Sequence, residues 1–275
     1  MCVKRYRQGP DDPLVRAFSY PYAQADLDGA LDLESGELRG LANMRALLTA
    51  DRRAAGIEHS LPGCRIECAD ALFAEPRHLL LAAGSNASPE QLLRKFQGRA
   101  EMRPILLLKV SVTNAIAVHS AHVTAYGAVA GTLMAWPGAL SRLTVLAVTG
   151  SQLRRINETE SLGRNYHLGV LPAGTLIEAP ECPVLFYRSM RGVFSPEGLP
   201  LRLDAFEAGG DVPPAVSQRR AIEYSARAVA FQGEGDAFVA RLIAEADFRR
   251  QVTEALALRA VADGLDGART LAVRA

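Results

Sequence analysis

Leu79-Leu80-Leu81-Ala82-Ala83-Gly84-Ser85-Asn86-Ala87-Ser88-Pro89-Glu90-Gln91-Leu92-Leu93-Arg94-Lys95-Phe96 joins an apolar run of strand length to an amphipathic helix through a tight loop. Gly84, Ser85 and Asn86 tolerate sharp backbone conformations and break the apolar run. Ser88 suits the N-cap of the next helix, Pro89 its first position, and Gln91 closes a capping box. Leu92, Leu93 and Phe96 form the apolar face. Strand, turn and helix N-terminus are therefore predicted in that order. Free backbone N–H groups and the helix dipole make such a junction a seat for an anion. No Gly-Lys-Ser/Thr follows at phosphate-loop spacing and no G-x-G-x-x-G is present, which disfavours nucleotide binding. Ser85 lacks the flanks of a G-x-S-x-G nucleophile elbow and reads as a turn residue.

Downstream, residues 105–118 and 123–136 are rich in Leu, Ile and Val and read as strands, with Gly127 and Gly131 as bends or bulges. Pro137-Gly138 reads as a turn and residues 142–148 as another strand. Thr149 and Gln152 form a second capping box, opening a helix through Leu153 and Ile156 to about Glu160. Residues 165–171, 175–177 and 184–187 add strands. β segments in series, without alternating helices, favour a small mixed barrel over a doubly wound sheet. The fold expected is α+β: a small mixed β-barrel with flanking helices.

Both flanks differ from this centre. Residues 1–77 read as an N-terminal extension, 78–200 as the barrel domain, and 201–275 as a helical C-terminal segment. In the extension, residues 26–36 suggest a small hairpin, and 38–55 a helix on Leu41, Met44, Leu47 and Leu48. A loop over 56–63 and a strand or short helix over 64–73 follow. After Asp211-Val212-Pro213-Pro214 the pattern turns helical over 215–230, 236–246 and 248–261. This appendage reads as packed on the β domain, with a homo-oligomer or partner surface as the alternative.

The chain has 275 residues, a net charge of +1 and 49% hydrophobic residues, with length enough for a sizeable core. That charge argues against a nucleic-acid surface, and no apolar run reaches membrane-spanning length. The N-terminus leads into Gln8-Gly9-Pro10-Asp11-Asp12 rather than an apolar signal core, so cytoplasmic residence is expected. Cys2, Cys64, Cys68 and Cys182 make no disulfide framework, and Cys64 and Cys68 with His59 fall short of a zinc motif. His119 and His122 lack a third ligand, so no metal is expected.

Chemistry concentrates in a second segment, Leu153-Arg154-Arg155-Ile156-Asn157-Glu158-Thr159-Glu160-Ser161-Leu162-Gly163-Arg164-Asn165-Tyr166. A carboxylate at a helix C-terminus opposes the dipole and holds its proton more tightly, which suits a general base near neutral pH. Glu158 reads as a surface partner of the nearby arginines. For Glu160 the residues alone leave two readings open, a surface pair with Arg154, Arg155 or Arg164 and a general base.

The two segments together resemble the γ-glutamylcyclotransferase-like family, as a divergent bacterial-type branch. That family has a Tyr-Gly-Ser-Asn loop after its first strand. It later carries Leu-Asp-x-x-Glu, with a Tyr six or seven residues beyond. Here Ala83-Gly84-Ser85-Asn86 is followed by Ile156-Asn157-Glu158-Thr159-Glu160 and by Tyr166, within roughly residues 78–190. Ala83 stands where the loop's Tyr is usual, and Asn157 where Asp is. The resemblance implies cyclisation of a γ-glutamyl amide to 5-oxoproline with release of an amine, without a cofactor. Glu160 would be the acid/base. Gly84, Ser85 and Asn86, with Ala87 beside them, would hold the glutamyl carboxylate or the developing oxyanion. Tyr166 would line the pocket as a donor, and His122 and Tyr126, ahead of residues 127–131, would share it. The alternative is a non-catalytic module that keeps the fold and binds a small ligand or partner segment.

Overall fold

A hairpin of two long strands organises the molecule, described by a computed structural model over residues 2–41, 48–49, 65–66, 77–99 and 103–271. The chain begins with β1 (Val3–Arg5), α1 (Pro13–Ser19), β2 (Gly29–Leu31), β3 (Glu37–Gly40), β4 (Leu48–Thr49) and β5 (Arg65–Ile66). Then come β6 (His78–Ala82), a 3-10 turn (Ser85–Ala87), α2 (Pro89–Phe96), β7 (Ile105–Val123), β8 (Val129–Val148) and α3 (Gly150–Thr159). β9 (Tyr166–Leu171), β10 (Val184–Ser189), β11 (Val193–Phe194), β12 (Arg202–Leu203), β13 (Glu207–Gly209) and β14 (Ala215–Val216) follow. The chain closes with α4 (Gln218–Ala228), α5 (Gly235–Ala244), α6 (Ala246–Ala257), β15 (Ala260–Val261) and β16 (Arg269–Thr270).

Among the described residues, fourteen strands share one sheet, with main path β1-β3-β2-β7-β8-β6-β10-β9-β16, and β4 pairs with β5 apart from it. The sheet is mixed because β6 and β10 run parallel. Its terminal strands β1 and β16 do not pair with each other, so the sheet is open. The expected small barrel is thus incorrect, although the α+β class stands. The error lies in strand length. Residues 105–148 form two strands of 19 and 20 residues rather than several short ones. Each is long enough to recruit different neighbours along its length. β7 pairs with β2 near Leu106, with β12 at Val118 and with β11 at Ser120. Closure would need the two outermost strands to meet, and each has only its inner neighbour. Pro137 and Gly138 do not reverse the chain. The register shifts between Thr113 and Ala115, where Asn114 and Gly138 both take positive φ and Asn114 Oδ1 accepts the Gly138 N–H at 2.8 Å. This is a bulge.

β6 shows why both faces of the sheet are covered. Leu79 and Leu81 enter one core cluster and Leu80 the other, as strand alternation requires. Helices α2 and α3 cover the Leu80 face through Leu92, Phe96, Leu153 and Ile156. A third cluster joins the far end of the hairpin, at Ala121, Val123 and Val129, to Ala17 of α1 and to the C-terminal helices. The apolar residues of those helices, among them Ile222, Phe238 and Val252, are buried within the chain.

Residues 26–40 form the hairpin of β2 and β3. The helix expected from residue 38 is strand β3 at its start. Residues 42–47 and 50–64 lie outside the described residues, as do most of 64–73 and all of His59, Cys64 and Cys68. The strand expected at 175–177 is reduced to one bridge, Val112 to Leu176. No helix among the described residues is long and apolar enough to cross a membrane.

Candidate active site

The C-terminal end of β6 delivers the chain into a cavity of about 420 Å³. Gly84, Ser85, Asn86, His122, Tyr126, Glu160 and Tyr166 all line it. Ala87 does not; it is wholly buried in the core behind the turn. Lys95, Tyr20 and Tyr187 also line the cavity, and the sequence pattern does not single them out.

Glu160 owes its position to the capping box of α3. Thr149 Oγ1 accepts the Gln152 N–H at 3.2 Å and Gln152 Oε1 accepts the Thr149 N–H at 2.9 Å. The helix then runs to Thr159 and leaves Glu160 as its C-cap residue. The other predicted capping box does not form. Ser88 is the N-cap of α2 but makes no capping bond, and Gln91 lines the cavity instead.

Three side chains meet here. Asn86 Nδ2 donates to Glu160 Oε1 at 3.1 Å, Lys95 Nζ donates to Asn86 Oδ1 at 2.6 Å, and Lys95 also pairs with Glu160 Oε1. The Lys95 side chain is 5% exposed and that of Glu160 14%. An ammonium carries three donors, so one of Lys95 stays uncommitted by these two bonds. No hydrogen bond reaches Glu160 Oε2 among the described residues. Arg155 Nε donates to the Lys95 carbonyl at 2.6 Å and holds α2 and α3 together at this point. Glu158 lies outside the site, paired with Arg155. The position of Lys95, three residues after Leu92 and four after Gln91, puts it on the inward face of α2. That spacing was the available signal.

The tyrosines divide by where their protons go. Tyr166 donates to the Gly131 carbonyl at 2.7 Å, so its proton is committed to backbone and it is not the pocket donor expected. Tyr187 donates to Asn157 Oδ1 at 2.6 Å, which gives Asn157 a defined structural role. Tyr20 instead accepts, taking the Gly131 N–H at 2.6 Å. Both polar groups of Gly131 are therefore held by phenols. A Cβ at Gly131 would sit 2.6 Å from the Ala83 carbonyl oxygen, and one at Gly84 would sit 2.5 Å from the Tyr20 hydroxyl. Two glycines let this turn, strand β8 and Tyr20 approach so closely. Burial raises Tyr20, Tyr126, Tyr166 and Tyr187 above the usual phenol range, and the Glu160 charge adds to it. All four are neutral.

His122 packs edge-on against Tyr166, with ring centres 5.1 Å apart. Its Nδ1 hydrogen-bonds Ser120 Oγ at 2.8 Å, and Ser120 bonds Ser189 Oγ at 2.7 Å. Burial, aided by Arg191, lowers its pKa to about 3, so the ring is neutral. Tyr126 lies under the Arg16 guanidinium at 4.8 Å. Among the described residues, no group of three His, Cys, Asp or Glu is arranged to hold a metal ion.

No family model matches the chain, and no curated relative matches it by sequence. A solved gamma-glutamyl cyclotransferase is similar in structure. The two share 12% identity over 64% of this chain and 86% of that one, with a TM-score of 0.33.

Proposed function

We propose that the chain is a cyclotransferase converting a γ-glutamyl amide, or a related small amide, to 5-oxoproline and a free amine. The observation that carries this reading is the meeting of Glu160, Asn86 and Lys95 beside the turn at residues 84–86, in one cavity. A part-buried carboxylate beside a buried ammonium matches a ligand that presents the same two charges on one carbon. The α-ammonium of a glutamyl group would pair with Glu160, and its α-carboxylate with Lys95 and the turn's backbone N–H groups. Each protein charge then exchanges one partner for another, and none is left buried alone. The cavity volume of about 420 Å³ suits a small molecule.

Glu160 takes a proton from the ammonium, and the freed amine attacks the γ-carbonyl of the same molecule. The ring closure is intramolecular, so positioning supplies much of the rate. Glu160 then gives that proton to the leaving nitrogen and accepts the second proton of the new ring nitrogen, which passes on to solvent.

Purified protein is expected to release 5-oxoproline from at least one member of a panel of γ-glutamyl amines and peptides. Glu160→Gln keeps an oxygen and a shape able to meet Asn86 and Lys95 but cannot carry the proton. It should abolish turnover and, by leaving the Lys95 ammonium without its counter-charge, lower the urea unfolding midpoint, so a native circular dichroism spectrum is the control that the variant is folded. A second reading, a non-catalytic binding module, is favoured by one feature: Lys95 already occupies the carboxylate. Ligand binding by calorimetry with no product from any panel member would select it.

A further inference from the structure

Tyr20 lies outside the segments that suggested the chemistry, yet its hydroxyl is wedged between the turn and β8. It is 6% exposed and lines the cavity. Its oxygen accepts the Gly131 N–H at 2.6 Å. Its proton donates to no group among the described residues. In this it differs from Tyr166 and Tyr187, whose protons are held by the Gly131 carbonyl and Asn157. Asn86 directs its amide N–H to Glu160, and Lys95 directs two donors to Asn86 and Glu160. A phenol whose oxygen already accepts a backbone N–H and whose proton is uncommitted is oriented to donate into the cavity.

We infer that Tyr20 is a catalytic residue that donates a hydrogen bond to the γ-carbonyl oxygen of the substrate and stabilises the oxyanion formed during ring closure. This rests on the cyclotransferase reading and extends it to a residue from the N-terminal flank. In the addition step the new bond joins the substrate's α-nitrogen to its γ-carbon, and the carbonyl π pair moves to oxygen. Tyr20 holds that oxygen by a hydrogen bond and keeps its proton. On collapse the pair returns to re-form the carbonyl. The bond from the γ-carbon to the leaving nitrogen breaks as that nitrogen takes the proton that Glu160 had removed, and the second proton of the new ring nitrogen passes to the vacated Glu160 carboxylate and on to solvent. Burial holds the phenol in its neutral form throughout, so it remains a donor over the working pH range. The Gly131 N–H polarises it further, as a fixed dipole that needs no reorganisation during reaction.

The test compares parent protein with Tyr20→Phe on the best substrate from the panel, measuring kcat, KM and calorimetric binding of 5-oxoproline. Loss of one oxyanion donor should lower kcat about 10²- to 10³-fold. KM and 5-oxoproline binding should stay within about threefold, because this contact is made in the transition state. A kcat within about threefold of parent, in a folded variant that still binds 5-oxoproline, overturns the assignment. So does a rise in KM with kcat unchanged. If Tyr20→Phe fails to fold, replacing Tyr20 by 3-fluorotyrosine keeps the oxygen that Gly131 needs and makes the phenol a stronger acid. A donor role then predicts a kcat raised about two- to threefold. An unchanged kcat overturns it. No product from the parent protein itself strikes the cyclotransferase reading and this inference together. Product from the parent with an undiminished Tyr20→Phe strikes only Tyr20.

Discussion

Lys95 sits where a charge is costly to keep. Its side chain is 5% exposed and it is one of only three lysines in the chain, with Lys4 and Lys109. A buried ammonium persists when it is paired and hydrogen-bonded, and here Glu160 and Asn86 provide both. Replacing it with a neutral amide removes the charge that would meet the substrate's carboxylate. A charge-assisted hydrogen bond contributes about 1.5–3 kcal/mol, so Lys95→Gln should raise KM for a γ-glutamyl substrate about 10- to 100-fold. Steady-state kinetics on the purified variant would measure this, and an unchanged KM would remove Lys95 from substrate binding. At this scale, legibility followed locality. Glu160 and Asn86 were readable because each belongs to a short pattern, a helix end and a turn. Lys95 is not legible because apolar residues mark the inward face of α2 as Leu92, Leu93 and Phe96, whereas Gln91 and Lys95 are buried and Leu93 is only half-buried. Tyr20 had no local signal at all, since only the folded chain brings it to Gly131.

The helix that presents Glu160 depends on its first turn. Thr149 is 3% exposed, and its reciprocal bonds with Gln152 satisfy two N–H groups that would otherwise be orphaned. Gln152 also donates to the Arg103 carbonyl at 2.7 Å, tying the helix to the strand entrance below. Thr149→Ala should therefore destabilise the protein by about 1 kcal/mol, read as a lowered urea midpoint with unchanged slope. The two capping boxes show why one pattern was legible and the other was not. Both have the right residue types at the right spacing. At Thr149 the partner Gln152 caps through its Oε1 while its Nε2 serves the Arg103 carbonyl, so the two uses are compatible. At Ser88 the partner Gln91 belongs to the cavity wall, and the cap is left to Pro89 and the backbone. Strand length was hidden for a similar reason. Pro137-Gly138 has the chemistry of a turn, and only the register against Asn114 shows that β8 continues past it.

The molecule as a whole buries two neutral imidazoles in β7. Burial lowers His119 to about 4 and His122 to about 3, from an ordinary 6.5. As pH falls below 6.5 the unfolded chain takes up protons that the folded chain refuses until about pH 4 and 3. Stability is therefore fully present above 6.5 and is lost progressively as the solution is acidified through that window. Urea unfolding at pH 7 and pH 4.5 should differ by about 2 kcal/mol or more. The difference should shrink in His119→Asn, and an equal midpoint at both pH values would refute the assignment. The open sheet belongs to this scale too. Periodicity marks which segments are strands but not which edges meet, so closure was the part of the fold that the residues alone left undetermined.

Helix α1 ends one residue before Tyr20 and rests on α4 and α5, with the Arg219 guanidinium 4.2 Å above the ring of Phe18. The phenol on Gly131 is thus propped from the opposite end of the polypeptide. A fragment trimmed to residues 78–200 would retain the carboxylate and the turn, but it would arrive without that hydroxyl and without the scaffold that steadies it. The two flanks act as a brace on the reaction chamber, and loosening either one would be felt at its wall.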